Sequence, residues 1–289
     1  MNKKIKIGII GGSGIYSLEG LKKIKELKIK TPFGNPSDKV ITGELNSTKV
    51  AFLPRHGKGH HIPPSGINYR ANIYAMKKMG VENLISVSAV GSMQETIRPG
   101  DFVVVDQYFD RTRSRASTFF DNGIVAHIPF DKPVCSSLSD EVGKVCKVEG
   151  IRTHLGGTYI CIEGPQFSTF AESKIYRSWG MDVIGMTALP EARLAREAEI
   201  CYCTLALVTD YDCWNTSQGV VSADLVVTQM KENSKKARKV LKRIIPNLGE
   251  EEFLSCRCRK ALENSIVTEK DKIDKSAAKK LKLIIEKYL

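Results

Sequence analysis

No apolar run in the 289-residue chain approaches the roughly 18 residues of a membrane span, so no spanning helix and no membrane partner are expected. The N-terminal MNKKIKIGIIGG carries an apolar run too short for a signal peptide, with glycines where a cleavage site would stand. A cytoplasmic protein is expected. The eight cysteines include no CxxC pair, so no zinc site and no metal ligands are expected. No complete G-x-G-x-x-G occurs either. Gly12-x-Gly14 runs into Tyr16-Ser17, and the stretch that should supply an acidic ribose partner reads KKIKELKIK. A nicotinamide dinucleotide site is therefore a poor fit. No internal repeat or low-complexity linker divides the chain, which points to one domain over residues 1–289, with a helical extension from about 249 to 289.

Positive charge is plentiful, at a formal net +12, but unevenly spread. Residues 231–289 hold 17 Lys+Arg against 9 Asp+Glu, a difference of +8, and no RNA-binding aromatic signature accompanies them. The lysines read as a solvated helical end, and no nucleic-acid partner is expected.

Apolar stretches alternate between strand-like and helix-like periods. Strands are expected over Ile5–Ile10, Val40–Leu45, Lys49–Leu53, Leu84–Ala89, Phe102–Asp106, Gly157–Glu163, Val183–Met186 and Cys201–Thr209, with Asn46-Ser47 turning a hairpin. Helices are expected over Asn68–Met79, Leu138–Lys147, Thr169–Trp179, Pro190–Glu199, Ala223–Ile245 (ended by Pro246) and Lys270–Tyr288. The fold class is α/β, with helices packed on a central sheet.

Chemistry gathers at strand ends. KIGIIGGSGIYS turns sharply at Gly11–Gly14, where a backbone nest with the Ser13 hydroxyl suits a phosphate. PRHGKGHH puts Arg55 and His56 after the next strand, and an arginine fork binds phosphate through two parallel hydrogen bonds. A metal reading of His56, His60 and His61 needs a carboxylate or thiol partner, which the segment lacks. SAVGSM adds Ser88, and VIGMTALPEARLARE adds Met186 and Thr187. In open α/β sheets, ligands bind at the carboxyl ends of strands. LALVTDYDCW carries Asp210 and Asp212, whose i, i+2 spacing sends two carboxylates to one side. One of two neighbouring carboxyls should be held protonated and serve as a general acid. Phe167, after the Gly-Pro turn of CIEGPQFST, offers a ring to a planar ligand. An anion site beside a flat, protonatable group suits transfer of a sugar from a base to phosphate.

GIIGGSGIY, TPFGNPSD, PRHG, NYRANIYA, AVGS, PGDFVVVDQYFDRT, EGPQFST, GMTALPEARLARE and VTDYDCW occur in this order. Over roughly Lys6 to Leu248 the chain resembles the trimeric purine nucleoside phosphorylase family, in its 5′-methylthioadenosine phosphorylase branch. The resemblance implies a single α/β domain with a central mixed twisted sheet flanked by helices. It implies phosphate-dependent cleavage of 5′-methylthioadenosine to adenine and 5-methylthioribose 1-phosphate. The alternative is a broader purine nucleoside phosphorylase acting on adenosine, inosine or guanosine. It implies no cofactor beyond inorganic phosphate as co-substrate, and a homo-oligomer, either a trimer or a dimer of trimers. By the same resemblance Ser13, Arg55, His56, Ser88, Ala89 and Thr187 bind phosphate. Phe167 stacks on the base, Met186 underlies the ribose, and Asp210 and Asp212 face the adenine edge, with Asp210 catalytic. His127, Val226 and Val227 border the 5′ substituent, with a neighbouring subunit helping to close that pocket. Gln166 stands where relatives often carry arginine, and Gly185 where some carry asparagine. Heat-stable relatives also imply disulfides Cys135–Cys201 and Cys256–Cys258, with Cys203 a rival partner.

Overall fold

The computed structural model describes residues 5–12, 15, 18–215, 223–248 and 256–289. Among these residues eleven strands form one mixed sheet: β1 (Ile7–Gly11), β2 (Lys22–Leu27), β3 (Val40–Leu45), β4 (Thr48–Pro54), β5 (Asn83–Ser92), β6 (Phe102–Val105), β7 (Gln107–Arg111), β8 (Thr153–Leu155), β9 (Thr158–Ile162), β10 (Val183–Gly185) and β11 (Cys201–Asp210). Six α-helices accompany them among the described residues: α1 (Tyr69–Met79), α2 (Ser136–Val148), α3 (Phe170–Ser178), α4 (Ala188–Glu197), α5 (Ala223–Asn247) and α6 (Lys275–Ile285). None is long and apolar enough to cross a membrane.

The main path runs β2-β3-β4-β1-β5-β10-β9-β7, and β11, β6 and β8 branch from β5. Alternation along the central strands fills two cores. In β11, Tyr202, Ala206 and Val208 join one cluster with residues of α1, α4 and α6, while Cys203, Leu205 and Leu207 join another with residues of α2 and α5. A strand apolar on both faces must lie inside the sheet, and β11 buries every residue from Cys201 to Thr209.

Local chemistry sets the turns the sequence announces. Asn46 and Ser47 both take positive φ, 47° and 66°, as a two-residue hairpin turn requires. Asn68 caps α1 by accepting from the Ala71 N–H at 3.1 Å, and Gly80 ends it at φ 91°. Thr169 and Glu172 form a reciprocal capping box on α3.

The unexpected strands are β2, β7 and β8, and each is an edge. β2 and β7 end the main path, and β8 ends the branch. Edge strands lack a fully buried face, so no apolar alternation marks them. The lysines of β2 suit an edge that discourages pairing with other chains. The expected Lys270–Tyr288 helix is shorter. Asp274 caps α6 by accepting from the Ala277 N–H at 2.8 Å, and 3-10 turns flank it. Its Leu281, Ile284 and Ile285 are buried in the core shared with α1.

One feature of register opens the site. On one side, β5 pairs with β1 only over Asn83–Ser86 and with β10 only at Gly91–Ser92. The residues between, Val87 to Val90, lack a strand partner on that side and line a cavity of about 860 Å³. Ligand crevices in α/β sheets form where strand order divides in this way.

Candidate active site

Strand ends deliver the polar groups. β4 ends at Pro54, placing Arg55 and His56 in the cavity wall. Arg55 is 1% exposed, and its fork faces Glu191: Nε donates to Oε2 at 2.9 Å and Nη2 to Oε1 at 3.0 Å. Nη1 donates to the Val87 carbonyl at 3.0 Å, and Nη2 also reaches Ser86 Oγ at 2.6 Å. Burial opposes the guanidinium charge, but Glu191 more than offsets this and holds Arg55 protonated. The two-pronged face expected to meet phosphate is thus spent on Glu191. Among the described residues, one Nη1 hydrogen of the five guanidinium donors is left over.

His56 lies above this pair. Its Nδ1 sits 2.9 Å from the Ile62 carbonyl, which can only accept, so Nδ1 carries the proton and Nε2 is the remaining ring nitrogen. Burial, assisted by the Arg55 and His60 charges, pushes the imidazole down to about 4. The His60 ring stacks on it at 4.1 Å and also lines the cavity.

Opposite, the hydroxyls of Ser88 and Thr187 lie 3.1 Å apart, both nearly buried, with Ala89 beside them in the lining. The Tyr159 hydroxyl supports them, 3.3 Å from Ser88 Oγ and 3.4 Å from the Thr187 N–H. Tyr159 also accounts for Gly185. A Cβ at that position would come within 2.0 Å of the tyrosine hydroxyl, so any side chain there is excluded while Tyr159 stays in place.

β11 supplies the carboxylates. Its register with β5 shifts between Val208 and Asp210, an irregularity that re-aims the strand end. Asp210 Oδ2 accepts from Thr209 Oγ1 at 2.7 Å, and Oδ1 accepts from the Asp212 N–H at 2.8 Å. Gly91 makes room, since a Cβ there would approach Asp210 Oδ1 to 2.8 Å. Burial pushes the Asp210 carboxyl above its ordinary range. Repulsion from Asp212, the cause expected from the i, i+2 spacing, contributes in the same direction but ranks below burial.

Asp212 has a second engagement. It accepts from Ser168 Oγ at 2.8 Å and from Ser173 Oγ at 2.5 Å, which ties the β11 end to α3 and to the loop bearing Phe167. Phe167 is 48% exposed and presents its ring to the cavity. Met186, Val226 and Val227 complete the apolar wall.

One expected residue is not brought in, and another cannot be placed. Ser13 lies outside the described residues. His127 is exposed and is not part of this cavity's lining; its N–H donates to the Ser265 carbonyl at 2.8 Å. The expected disulfides are also absent. All eight cysteines are free thiols, and Cys135 and Cys256 stand 3.3 Å apart between sulfurs, a pairing different from the expected ones.

Sequence reasoning missed Tyr159, Glu191 and Arg115. Arg115, whose side chain is 1% exposed, gathers carbonyls from separate segments: Met186 at 2.6 Å, Leu189 at 2.7 Å and Glu163 at 2.7 Å. It sets the backbone on which Met186 and Thr187 sit. It lies just beyond the PGDFVVVDQYFDRT motif, and only its arginine-rich context hinted at a role.

A family model described as the phosphorylase superfamily matches residues 6–246. The chain belongs to that superfamily. Among curated members of the family, the chain is similar to the S-methyl-5′-thioadenosine phosphorylase of Geobacter sulfurreducens, at 51% identity over 284 residues, covering 98% of this chain and 99% of the relative. It is 53% identical over 266 residues to the protein of the same name from Hyperthermus butylicus, covering 91% and 96%. A solved methylthioadenosine phosphorylase from an antarctic soil metagenomic library superposes with a TM-score of 0.93 at 45% identity, covering 98% of this chain and 99% of that one.

Proposed function

We propose that the chain catalyses phosphorolysis of 5′-methylthioadenosine, releasing adenine and 5-methylthioribose 1-phosphate. The observation that carries this reading is the pairing of two chemistries in one cavity. The Ser88 and Thr187 hydroxyls, 3.1 Å apart, make a small polar recess for an anion, and the same cavity is lined by Asp210, a carboxyl biased by burial toward its protonated form. The names and close similarity of the relatives favour the methylthio nucleoside as substrate.

In this reading the N-glycosidic bond breaks toward an oxocarbenium-like ribosyl cation. Adenine leaves poorly as an anion, so Asp210 gives a proton to N7 as charge develops. A positioned general acid contributes about 10²–10⁴-fold. Ser88, Thr187, the Ala89 backbone and the remaining Arg55 hydrogen hold phosphate against C1′. Its charge stabilises the cation, and its placement lowers the entropic barrier. Ser13 joins this set by resemblance. Asp212 positions the Phe167 loop while facing the base. Phosphate is a reactant, and the chemistry asks for no organic cofactor or metal.

By resemblance the chain assembles as a trimer, or a dimer of trimers, in which His127, exposed and outside the cavity of its own chain, is available to a neighbour's 5′ pocket. No cysteine is paired in a disulfide, which suits a reducing compartment, and we place the enzyme in the cytoplasm. The test is adenine release from 5′-methylthioadenosine with and without phosphate. Strict phosphate dependence is expected. Equal release without phosphate would make the enzyme a hydrolase.

A further inference from the structure

At the opposite end of β11 from Asp210, four cysteine sulfurs converge. Cys135, Cys201, Cys256 and Cys258 have Sγ atoms all within 4.8 Å of one another. Tetrahedral zinc with Zn–S bonds of about 2.3 Å sets its sulfurs roughly 3.8 Å apart. A disulfide needs about 2.05 Å. The cluster therefore has the spread of a metal tetrathiolate, and Cys135 and Cys256, 3.3 Å apart, are well outside bonding distance.

Three separate segments bring the sulfurs together. Cys135 stands at the N-terminus of the 13-residue α2, and its N–H donates to the Tyr202 carbonyl at 2.8 Å. Cys201 opens β11, its N–H bonded to the Glu82 carbonyl at 2.9 Å. Cys256 and Cys258 border and occupy the 3-10 turn Arg257–Lys260. Three of the four are buried, and Cys256 is half-buried.

The surroundings suit a dianionic zinc tetrathiolate. A helix N-terminus favours negative charge at Cys135. Arg259 follows Cys258 in the same turn and donates to Glu82 at 2.8 Å, while its Nε is buried with no hydrogen-bond partner among the described residues. The adjoining cavity of about 660 Å³ is lined by four cations, Lys132, Arg196, Arg257 and Lys260, against two carboxylates, Asp131 and Glu263. Four thiolates with no other donor select a soft, tetrahedral metal, and a four-coordinate set leaves no open position for catalysis.

We propose that Cys135, Cys201, Cys256 and Cys258 bind one zinc ion as a closed structural site that fastens the C-terminal segment to the base of the sheet. Sequence spacing hides such a site, because only two of its ligands are neighbours in the chain and they form CxC rather than CxxC.

The test uses the full chain purified under reductant and without oxygen. Metal analysis should find about one zinc per chain. Replacement by Co(II) should give the intense visible bands and sulfur-to-cobalt charge transfer of a tetrahedral thiolate site. Cys256→Ser with Cys258→Ser should abolish both, while Cys146→Ser keeps them. Removing the metal should lower Tm and leave assay activity at moderate temperature intact. If the unmodified chain takes up neither zinc nor cobalt under reductant, the proposal fails, whatever the variants do. It fails equally if the anaerobically isolated protein holds no metal and its intact mass shows four hydrogens lost to two disulfides.

Discussion

Both ends of β11 present reactive side chains, but they are finished differently. At the Cys201 end, backbone bonds to Glu82 and from Cys135 to Tyr202 bind neighbouring segments closely, and the sulfurs face one another. At the Asp210 end, the strand shifts register, Gly91 leaves space, and the carboxyl faces a cavity of about 860 Å³. The helix α4 repeats the contrast. Its Thr187 start lines the cavity, while Glu197 at its far end is buried and satisfied by Thr118 and Phe119, both donating at 2.6 Å. Burial alone therefore does not make a catalytic group. A buried polar group closed in by its partners holds the fold together, and one that has partners yet also lines a cavity, as Asp210 does, is within reach of a ligand.

The sharpest way to break this comparison is at Asp210. Asp210→Asn should lower kcat on 5′-methylthioadenosine by about 10²–10⁴-fold with little change in Tm. A variant that lost only substrate KM would remove Asp210 from the acid role. Since the acid must start protonated, kcat/KM of the unmodified enzyme should fall as pH rises through the burial-raised Asp210 pKa.

Arg55→Ala comes next. It leaves Glu191, 0% exposed, without its counter-charge, and loss of one partner of a buried pair costs about 3–5 kcal/mol. Urea denaturation should show that loss. A variant as stable as the parent, with only a raised phosphate KM, would mean the fork serves the ligand rather than the fold.

Glu197 tests the closed end of α4 through pH. Burial pushes its carboxyl up to about 7 from an ordinary 4.5, so the folded state holds the proton more tightly than the unfolded state. Its contribution to stability is complete below the unfolded pKa and is lost as pH rises through about 7, on the order of 3 kcal/mol in total. Glu197→Gln should flatten the stability profile across that window. An unchanged slope would assign the pH dependence elsewhere.

The smallest effect is expected at Gly185. Gly185→Ala drives a methyl toward the Tyr159 hydroxyl and should cost about 1–3 kcal/mol. Phosphate KM should rise as well, because Tyr159 supports Ser88 and Thr187. A neutral substitution would show that Tyr159 moves aside freely.

Local pattern carries far into this fold. Residue period, hairpin turn and helix caps are properties of a few neighbours, so β3, β4, α1 and the start of α3 stand close to where the sequence puts them. The strand-end motifs are equally local, and most of the cavity wall follows from them: Arg55, His56, Ser88, Phe167, Met186, Thr187, Asp210 and Asp212 all line it. Edge strands escaped because they have no buried face to impose a pattern.

The remaining decisions belong to contacts across long stretches of chain. Arg55 meets Glu191 across 136 residues, so its fork turns into the core instead of toward an anion. Cys135 meets Cys256 across 121 residues, where spacing along the sequence shows no cluster at all. The sequence by itself determined which residue types stand at the strand ends and hence the chemistry available. Tertiary packing decided which of those groups satisfy one another and which are left facing open space, because that depends on distances no local pattern encodes.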